Sequence, residues 1–188
     1  FLESWIKANP AKIGELLAWM KKNSFNDKTH MIARSDILVA LRGAETAEAR
    51  QAMLDIISDP SWSSGTRVHA ALVMTDNPNL SPQYVEALLA LSRKGAEADG
   101  DTYASRGATA MLGATYRDQK DQNPKLAKQL LEEVSARLDN TTDADLYKDA
   151  VTAAGNSGEK TLLAKLQPAM NHERADIREE AADALRLL

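Results

Sequence analysis

Apolar residues recur along the chain at the spacing of an amphipathic helix. Between residues 10 and 23 they occupy the i, i+3, i+4 and i+7 positions of one helical stripe, formed by Ile13, Leu16, Leu17 and Met20. The same stripe recurs around Val85 and from Leu126 to Leu138. No stretch alternates between apolar and polar residues for long enough to predict a β-strand. The pattern therefore predicts an all-α protein.

Proline and capping residues indicate where several of these helices begin. Asn9-Pro10, Ser81-Pro82 and Asn123-Pro124 each place a side-chain oxygen before a proline, which suits the first position of a helix. Asp176 is followed three residues later by Glu179, and this capping box predicts that the last helix starts there. Short turn-forming stretches separate the helices, so the connections are expected to be short.

A cluster of small and apolar residues recurs five times, at residues 37–41, 70–74, 108–112, 150–154 and 181–185. The last members of successive clusters are 33, 38, 42 and 31 residues apart. A bulkier amphipathic helix follows each of the first four clusters after a turn, so the repeating unit is a helical hairpin. This pattern predicts an α-solenoid, and its uneven spacing argues against ankyrin and tetratricopeptide arrays, whose periods are tight.

The segment from Asp176 to Leu185 resembles the second helix of a HEAT repeat, and residues 66–72 form a weaker copy. The resemblance implies that Asp176 caps the helix, that Arg178 faces the neighbouring turn, and that the alanines pack between layers. We expect residues 1–188 to form a single HEAT-like α-solenoid domain, a right-handed superhelix of about five antiparallel helical hairpins. We also expect this domain to be a fragment of a longer chain.

A narrower resemblance covers roughly residues 60–188. The turn at residues 153–158, the Leu-rich helix at 162–168 and the helix at 177–186 together resemble the superhelical helical domain of vitellogenin and the microsomal triglyceride transfer protein. This resemblance implies the helical domain of a larger lipid-binding or lipid-transfer protein. In that family β-sheets build the lipid cavity, so lipid is expected only in the context of the full-length protein.

The composition agrees with a folded helical chain. Of the 188 residues, 44% are apolar, and there are 31 Ala and 23 Leu, which favours packed helices over sheets and excludes a disordered chain. The net charge of −4 argues against nucleic acid or an anionic membrane as a partner. No cysteine is present, so either a reducing or an oxidising compartment is compatible with the sequence. No run of apolar residues is long enough for a transmembrane segment, and we expect a soluble protein.

The residues that suggest enzyme chemistry do so at the wrong spacing. Residues 155–161 resemble a phosphate loop, but only two residues separate the glycines and Glu159 interrupts the Gly-Lys pair, so we expect an inter-helix turn. Residues 97–101 are acidic but lack the further ligands of a calcium loop, and we expect a turn that ends in a cap at Asp101. The three histidines are far apart in sequence, and no serine elbow occurs. We expect a non-enzymatic protein with no catalytic residue, metal ion or cofactor.

Two features remain as candidate partner-binding sites. Trp62 lies in a polar loop, where it either folds back over the solenoid or anchors a partner. Basic residues also lie near the start of each repeat's second helix, and they are Arg34, Arg67, Arg106, Lys148 and Arg178. These cations either line a surface for a partner or hydrogen-bond to a neighbouring turn or to carboxylates such as Asp36, Asp149 and Asp183. Binding requires that the row stay accessible to solvent.

Trp5 and Trp19 lie on helical stripes, and we expect both in the core. The sequence as a whole predicts an interaction or scaffold module whose partner is another protein or another domain of the same chain. The helical domain of a vitellogenin-like lipid-binding protein is the alternative.

Overall fold

The computed structural model describes residues 1–23, 28–75, 80–94 and 101–188. All regular secondary structure in these ranges is helical, and no β-strand occurs among them, which confirms the predicted all-α class. The chain divides into two compact units, Phe1–Asn77 (unit 1) and Pro78–Leu188 (unit 2).

Unit 1 contains five described α-helices, which are α1 (Leu2–Ala8), α2 (Ile13–Lys22), α3 (Lys28–Ala44), α4 (Ala47–Ser58) and α5 (Ser64–Thr75). A short 3-10 turn, Pro10–Lys12, leads into α2. Helix α3 packs against α1, α4 and α5, and α4 also contacts α2. The core between them is formed by large apolar side chains, among them Leu38, Leu41, Met53, Ile56 and Ile57.

Unit 2 contains six described α-helices, which are α6 (Pro82–Lys94), α7 (Thr102–Gln119), α8 (Pro124–Asn140), α9 (Ala144–Ser157), α10 (Leu163–Met170) and α11 (Ala175–Leu187). A 3-10 turn, Lys160–Leu162, precedes α10. Helix α7 packs against α6, α8 and α9, and α9 packs against α8, α10 and α11. Helix α8 also contacts both α6 and α10.

The five small-residue clusters lie on alternate helices, one each on α3, α5, α7, α9 and α11. Most of their alanines are fully buried, including Ala70, Ala108, Ala150 and Ala181. Small side chains let neighbouring helices approach closely. The buried alanines therefore suit close packing between neighbouring helices.

Two glycines bring helices of unit 2 into backbone contact. A Cβ built on Gly113 of α7 would lie 2.7 Å from the carbonyl carbon of Ala153 on α9. A Cβ built on Gly155 of α9 would lie 2.7 Å from the Cα of Ala184 on α11. Real Cβ atoms do not approach other atoms so closely, so each position requires glycine.

The predicted helix starts are partly confirmed. Asn123 accepts a hydrogen bond from the Leu126 N–H, and Ser81 accepts one from the Tyr84 N–H, so both cap their helices. The predicted cap at Asp176 is wrong, because α11 begins at Ala175 and its N-cap residue is Arg174. The Asp176 carboxylate instead accepts hydrogen bonds from basic side chains.

Candidate functional site

Trp62 lies between α4 and α5 and is buried in unit 1. The residue is 6% exposed, and its backbone N–H donates to the Asp59 carbonyl oxygen at 3.1 Å. The Lys21 Nζ lies 4.8 Å from the ring centroid, within reach of a cation–π interaction. Lys21 also donates to the Asp59 carboxylate at 2.8 Å and to the Ser61 hydroxyl at 2.7 Å. The Trp62 ring is therefore packed within unit 1, and a role as anchor for a partner stays a prediction.

The same hydrogen bonds act on the Asp59 carboxyl. The bond from the Lys21 ammonium, followed by those from the Ser61 side chain and backbone, holds the pKa of Asp59 well below its usual range. Asp59 therefore stays ionised and keeps Lys21 in place beside the indole ring. The turn that carries Trp62 is thus tied to α2.

Arg67 lies on α5 and is buried as well, with 2% of the residue exposed. Its Nε donates to the Ile57 carbonyl oxygen at 3.0 Å. Ile57 belongs to the last turn of α4, where carbonyl groups lack a partner within their own helix. Arg67 therefore joins α5 to the end of α4 from inside unit 1, and it does not meet the accessibility that binding requires. Arg34 donates to the Thr66 hydroxyl at 3.2 Å in the same unit.

Arg106 is the first member of a set of ion pairs that connects alternate helices of unit 2. Its Nε donates to the Asp149 carboxylate at 2.8 Å, and its Nη1 donates to the Asp145 carboxylate at 3.3 Å. Arg106 lies on α7, and both carboxylates lie on α9. The pairing with Asp149 is one of the contacts that the sequence offered as the alternative to partner binding.

Lys148 and Arg174 continue this set to α11. Lys148 Nζ lies 3.2 Å from the Asp176 carboxylate, and Arg174 Nη2 donates to the same carboxylate at 2.8 Å. Arg174 Nη1 lies 2.7 Å from Asp145 on α9. We call the whole set the ion-pair ladder, and its members are Arg106, Asp145, Lys148, Asp149, Arg174 and Asp176. Its three cations balance its three carboxylates.

The carboxylates of the ladder have unequal environments. The hydrogen bond from Arg174, followed by the charge of Arg106, lowers the pKa of Asp145. Hydrogen bonds from Arg174 and Lys148 hold the pKa of Asp176 well below its usual range. Burial is the dominant effect at Asp149 and raises the pKa of that carboxyl, while the Arg106 hydrogen bond acts against it. The charged form of Asp149 therefore depends more on its cation than the charged forms of Asp145 and Asp176 do.

Arg178, the last of the five predicted basic residues, is exposed on α11. Its Nη1 donates to the carbonyl oxygens of His172 at 2.7 Å and Glu173 at 2.8 Å, in the turn before the helix. Arg178 therefore contacts the turn that precedes its own helix, and the resemblance to a HEAT repeat stays a prediction. Arg106, Lys148 and Arg178 remain partly accessible, with 38% and 29% of the first two side chains exposed, and their partner-binding role stays a prediction.

The sequence reasoning missed Arg174 and Asp145, which connect the ladder between α9 and α11. A signal was present, because charged residues gather at both helix starts, in residues 143–149 and 173–176. This local signal does not predict which charges pair across helices. Asp145 and Arg174 are 29 positions apart in the sequence and meet only after the helices stack.

The segments considered for other chemistry have structural roles. Ser157 ends α9, Gly158 takes the left-handed conformation (φ 64°), and Glu159 accepts a hydrogen bond from the Tyr116 hydroxyl at 2.6 Å. The predicted inter-helix turn thus begins later than Gly155, which lies within α9. Asp101 caps α7 by accepting from the Ala104 N–H, as predicted, while residues 97–100 lie outside the described residues.

His69 and His172 contact different kinds of neighbour. His172 stacks on Tyr147 with ring centroids 5.8 Å apart, and His69 lies 3.5 Å from the Ser35 hydroxyl. Burial, with the charge of Arg34 as a second cause, lowers the pKa of His69. Among the described residues, no group of three or more His, Asp or Glu side chains is placed to hold a metal ion.

No family model matches the chain, and no curated protein is significantly similar to it in sequence. None of the described helices combines the length and the apolar character that crossing a membrane requires.

Proposed function

We propose that this chain is a non-enzymatic interaction or scaffold module of the HEAT-like α-solenoid type. It presents helical surfaces to another protein or to another domain of the same chain. The observation that supports this proposal is the packing between alternate helices. In unit 1, α3 packs against α1 and α5, and α2 contacts α4; in unit 2, α7, α9 and α11 pack in series, as do α6, α8 and α10. Stacked helical hairpins produce such rows.

The close helix contacts of unit 2 suit a rigid framework. Gly113 and Gly155 let α7, α9 and α11 approach backbone to backbone. The ion-pair ladder then connects the same three helices on a partly exposed edge. A surface that is fixed in this way loses little conformational entropy when a partner binds.

The charge of the ladder favours a protein partner over a polyanion. Its three cations are balanced by three carboxylates, so it offers no excess positive charge to a phosphate backbone. Protein interfaces accommodate such mixed charges at their rims. Arg178 of α11 donates only to carbonyl groups in the contacts described above, so its charge is available to an acidic partner.

The test is native mass spectrometry of the full-length protein purified from its own host. We expect a stoichiometric protein partner or an intramolecular docking domain, and no retained lipid. Lipid adducts without a protein partner would favour the vitellogenin-like alternative. Catalytic turnover that one polar substitution abolishes would overturn the non-enzymatic proposal.

A further inference from the structure

A groove of about 550 Å³ lies between α2 and α4 in unit 1. Ile13, Gly14 and Leu17 of α2 and Ala52 of α4 form its apolar floor. Glu48 and Asp55 of α4 also line it. The volume lies within the usual range of binding pockets, about 300–1,000 Å³.

Gly14 leaves the groove open down to the backbone of α2. A Cβ built on Gly14 meets no atom within 4 Å, in contrast to Gly113 and Gly155, where neighbouring helices fill the space. Ile13 and Ala52 are buried at 4% and 5% exposure, so the floor is formed by packed side chains. An apolar side chain from a partner can therefore contact the backbone at Gly14.

The rim on α4 is acidic and not neutralised by the described residues. Glu48 and Asp55 are seven positions apart, so they lie on the same helical face, and both are exposed. Asp55 accepts a hydrogen bond from the neutral Gln51 amide at 2.8 Å, and neither carboxylate forms an ion pair within the described ranges. Lys12 is paired with Glu15, and Lys21 is paired with Asp59.

We infer that the groove between α2 and α4 is a docking site for a short amphipathic helix of another protein that carries basic residues. Apolar side chains of that helix insert over Gly14 and Ala52, and its Lys or Arg residues meet Glu48 and Asp55. This mode of recognition places an apolar helix face in a groove, and the charges fix its orientation. The inference deepens the proposed interaction function and rests on it.

The test uses a display library of random short helical peptides, selected for binding to the chain of residues 1–188. We expect the enriched peptides to have one apolar face and a net positive charge. Gly14→Leu places a side chain in the groove, where its Cβ meets no atom within 4 Å, and it should weaken their binding by about tenfold or more. Gly65→Leu is the matched control, because a Cβ at Gly65 also meets no atom within 4 Å, and it should leave binding unchanged.

A second pair of variants tests the charge. Glu48→Lys and Asp55→Lys lie on an exposed rim, so both should fold normally by circular dichroism, and each should weaken binding of the basic peptides. Selection on the variant that carries both changes should enrich acidic peptides instead. If the peptides bound these variants as tightly as wild type, the inference of a basic partner would be overturned.

The remaining outcomes separate this inference from the proposed function. Enriched peptides that bind wild type and Gly14→Leu equally would overturn the groove but leave the interaction function standing, because the docking surface would lie elsewhere. If no peptide is enriched, the docking-site inference is overturned. It is also overturned if the chain forms a homodimer that Gly14→Leu disrupts. Failure of the function itself is seen separately, as a full-length protein that has neither a bound protein partner nor an intramolecular docking domain.

Discussion

Gly113 on α7 lies so close to Ala153 on α9 that no side chain fits between them, since a Cβ on Gly113 would be 2.7 Å from the Ala153 carbonyl carbon. We expect Gly113→Ala to push the two helices apart. The overpacking costs roughly 1–3 kcal/mol or more, against about 1 kcal/mol gained in helix propensity. Because the Cβ meets backbone atoms, the cost lies at the upper end of that range, and the free energy of unfolding should fall by about 2 kcal/mol, as measured by urea denaturation followed by circular dichroism.

Gly14→Ala is the matched control for this prediction. Its Cβ meets no atom within 4 Å, so only the gain in helix propensity, at most about 1 kcal/mol, should remain. If the two variants had the same stability, α7 and α9 could not be in backbone contact.

Arg106→Gln should leave the Asp149 carboxylate without its cation. The Asp149 side chain is 16% exposed and that of Arg106 38%, so the loss should lie between the values for surface and buried ion pairs, at about 1–2 kcal/mol at neutral pH. Arg106→Gln combined with Asp149→Asn removes the uncompensated charge and should recover most of this loss. Denaturation at neutral pH measures both variants, and a double variant less stable than the single one would contradict the pairing.

The loss of stability that Arg106→Gln causes should also depend on pH. Burial raises the pKa of Asp149 in the folded state, and removal of Arg106 raises it further. The folded variant then binds a proton more tightly than the unfolded chain does, so its stability rises as the pH falls through the folded pKa towards the unfolded value of about 4. The difference in free energy of unfolding between wild type and Arg106→Gln should therefore become smaller as the pH falls. A gap that widens with falling pH would contradict this assignment, and carboxyl NMR of Asp149 would measure its pKa directly.

Local pattern was enough to predict the all-α class and several helix starts, such as the one that Asn123 caps. The recurring small residues, such as Ala108, Ala150 and Ala181, are buried, because small side chains let neighbouring helices approach closely. The pairing of Arg106 with Asp149 was also foreseen as one alternative. Both predictions rest on the types of residue and on the period at which they recur along the chain.

The rest depended on where each helix lies after packing. Trp5 and Trp19 were expected in the core, but they are 38% and 43% exposed, so that expectation was wrong. A stripe of apolar residues predicts which residues share a face, but the width of the buried part depends on the neighbouring helix. Arg174 was missed for a related reason, since its contact with Asp145 forms between two helices and not within one.

Replacement by alanine should destabilise the protein much more at Arg67 than at Arg178, although the sequence placed both residues in one row. Arg67→Ala leaves the Ile57 carbonyl without its donor inside unit 1 and opens a cavity, so we expect a loss of about 3 kcal/mol or more. Arg178→Ala acts at an exposed side chain and should cost only about 0.5 kcal/mol. Thermal unfolding of both variants decides the question, and equal losses would contradict the buried position of Arg67.

Trp62 should contribute to stability and not to binding. Trp62→Ala removes a buried indole and its contact with Lys21, so we expect the free energy of unfolding to fall by about 3–5 kcal/mol. Trp19→Ala is the matched control, because 43% of that residue is exposed, and it should cost about 1 kcal/mol. Urea denaturation gives both values.

The folded fraction of Trp62→Ala should bind a partner with the same affinity as wild type does, because a ring packed against Lys21 offers a partner little surface. A fully folded Trp62→Ala variant that loses its partner would instead identify Trp62 as an interface anchor.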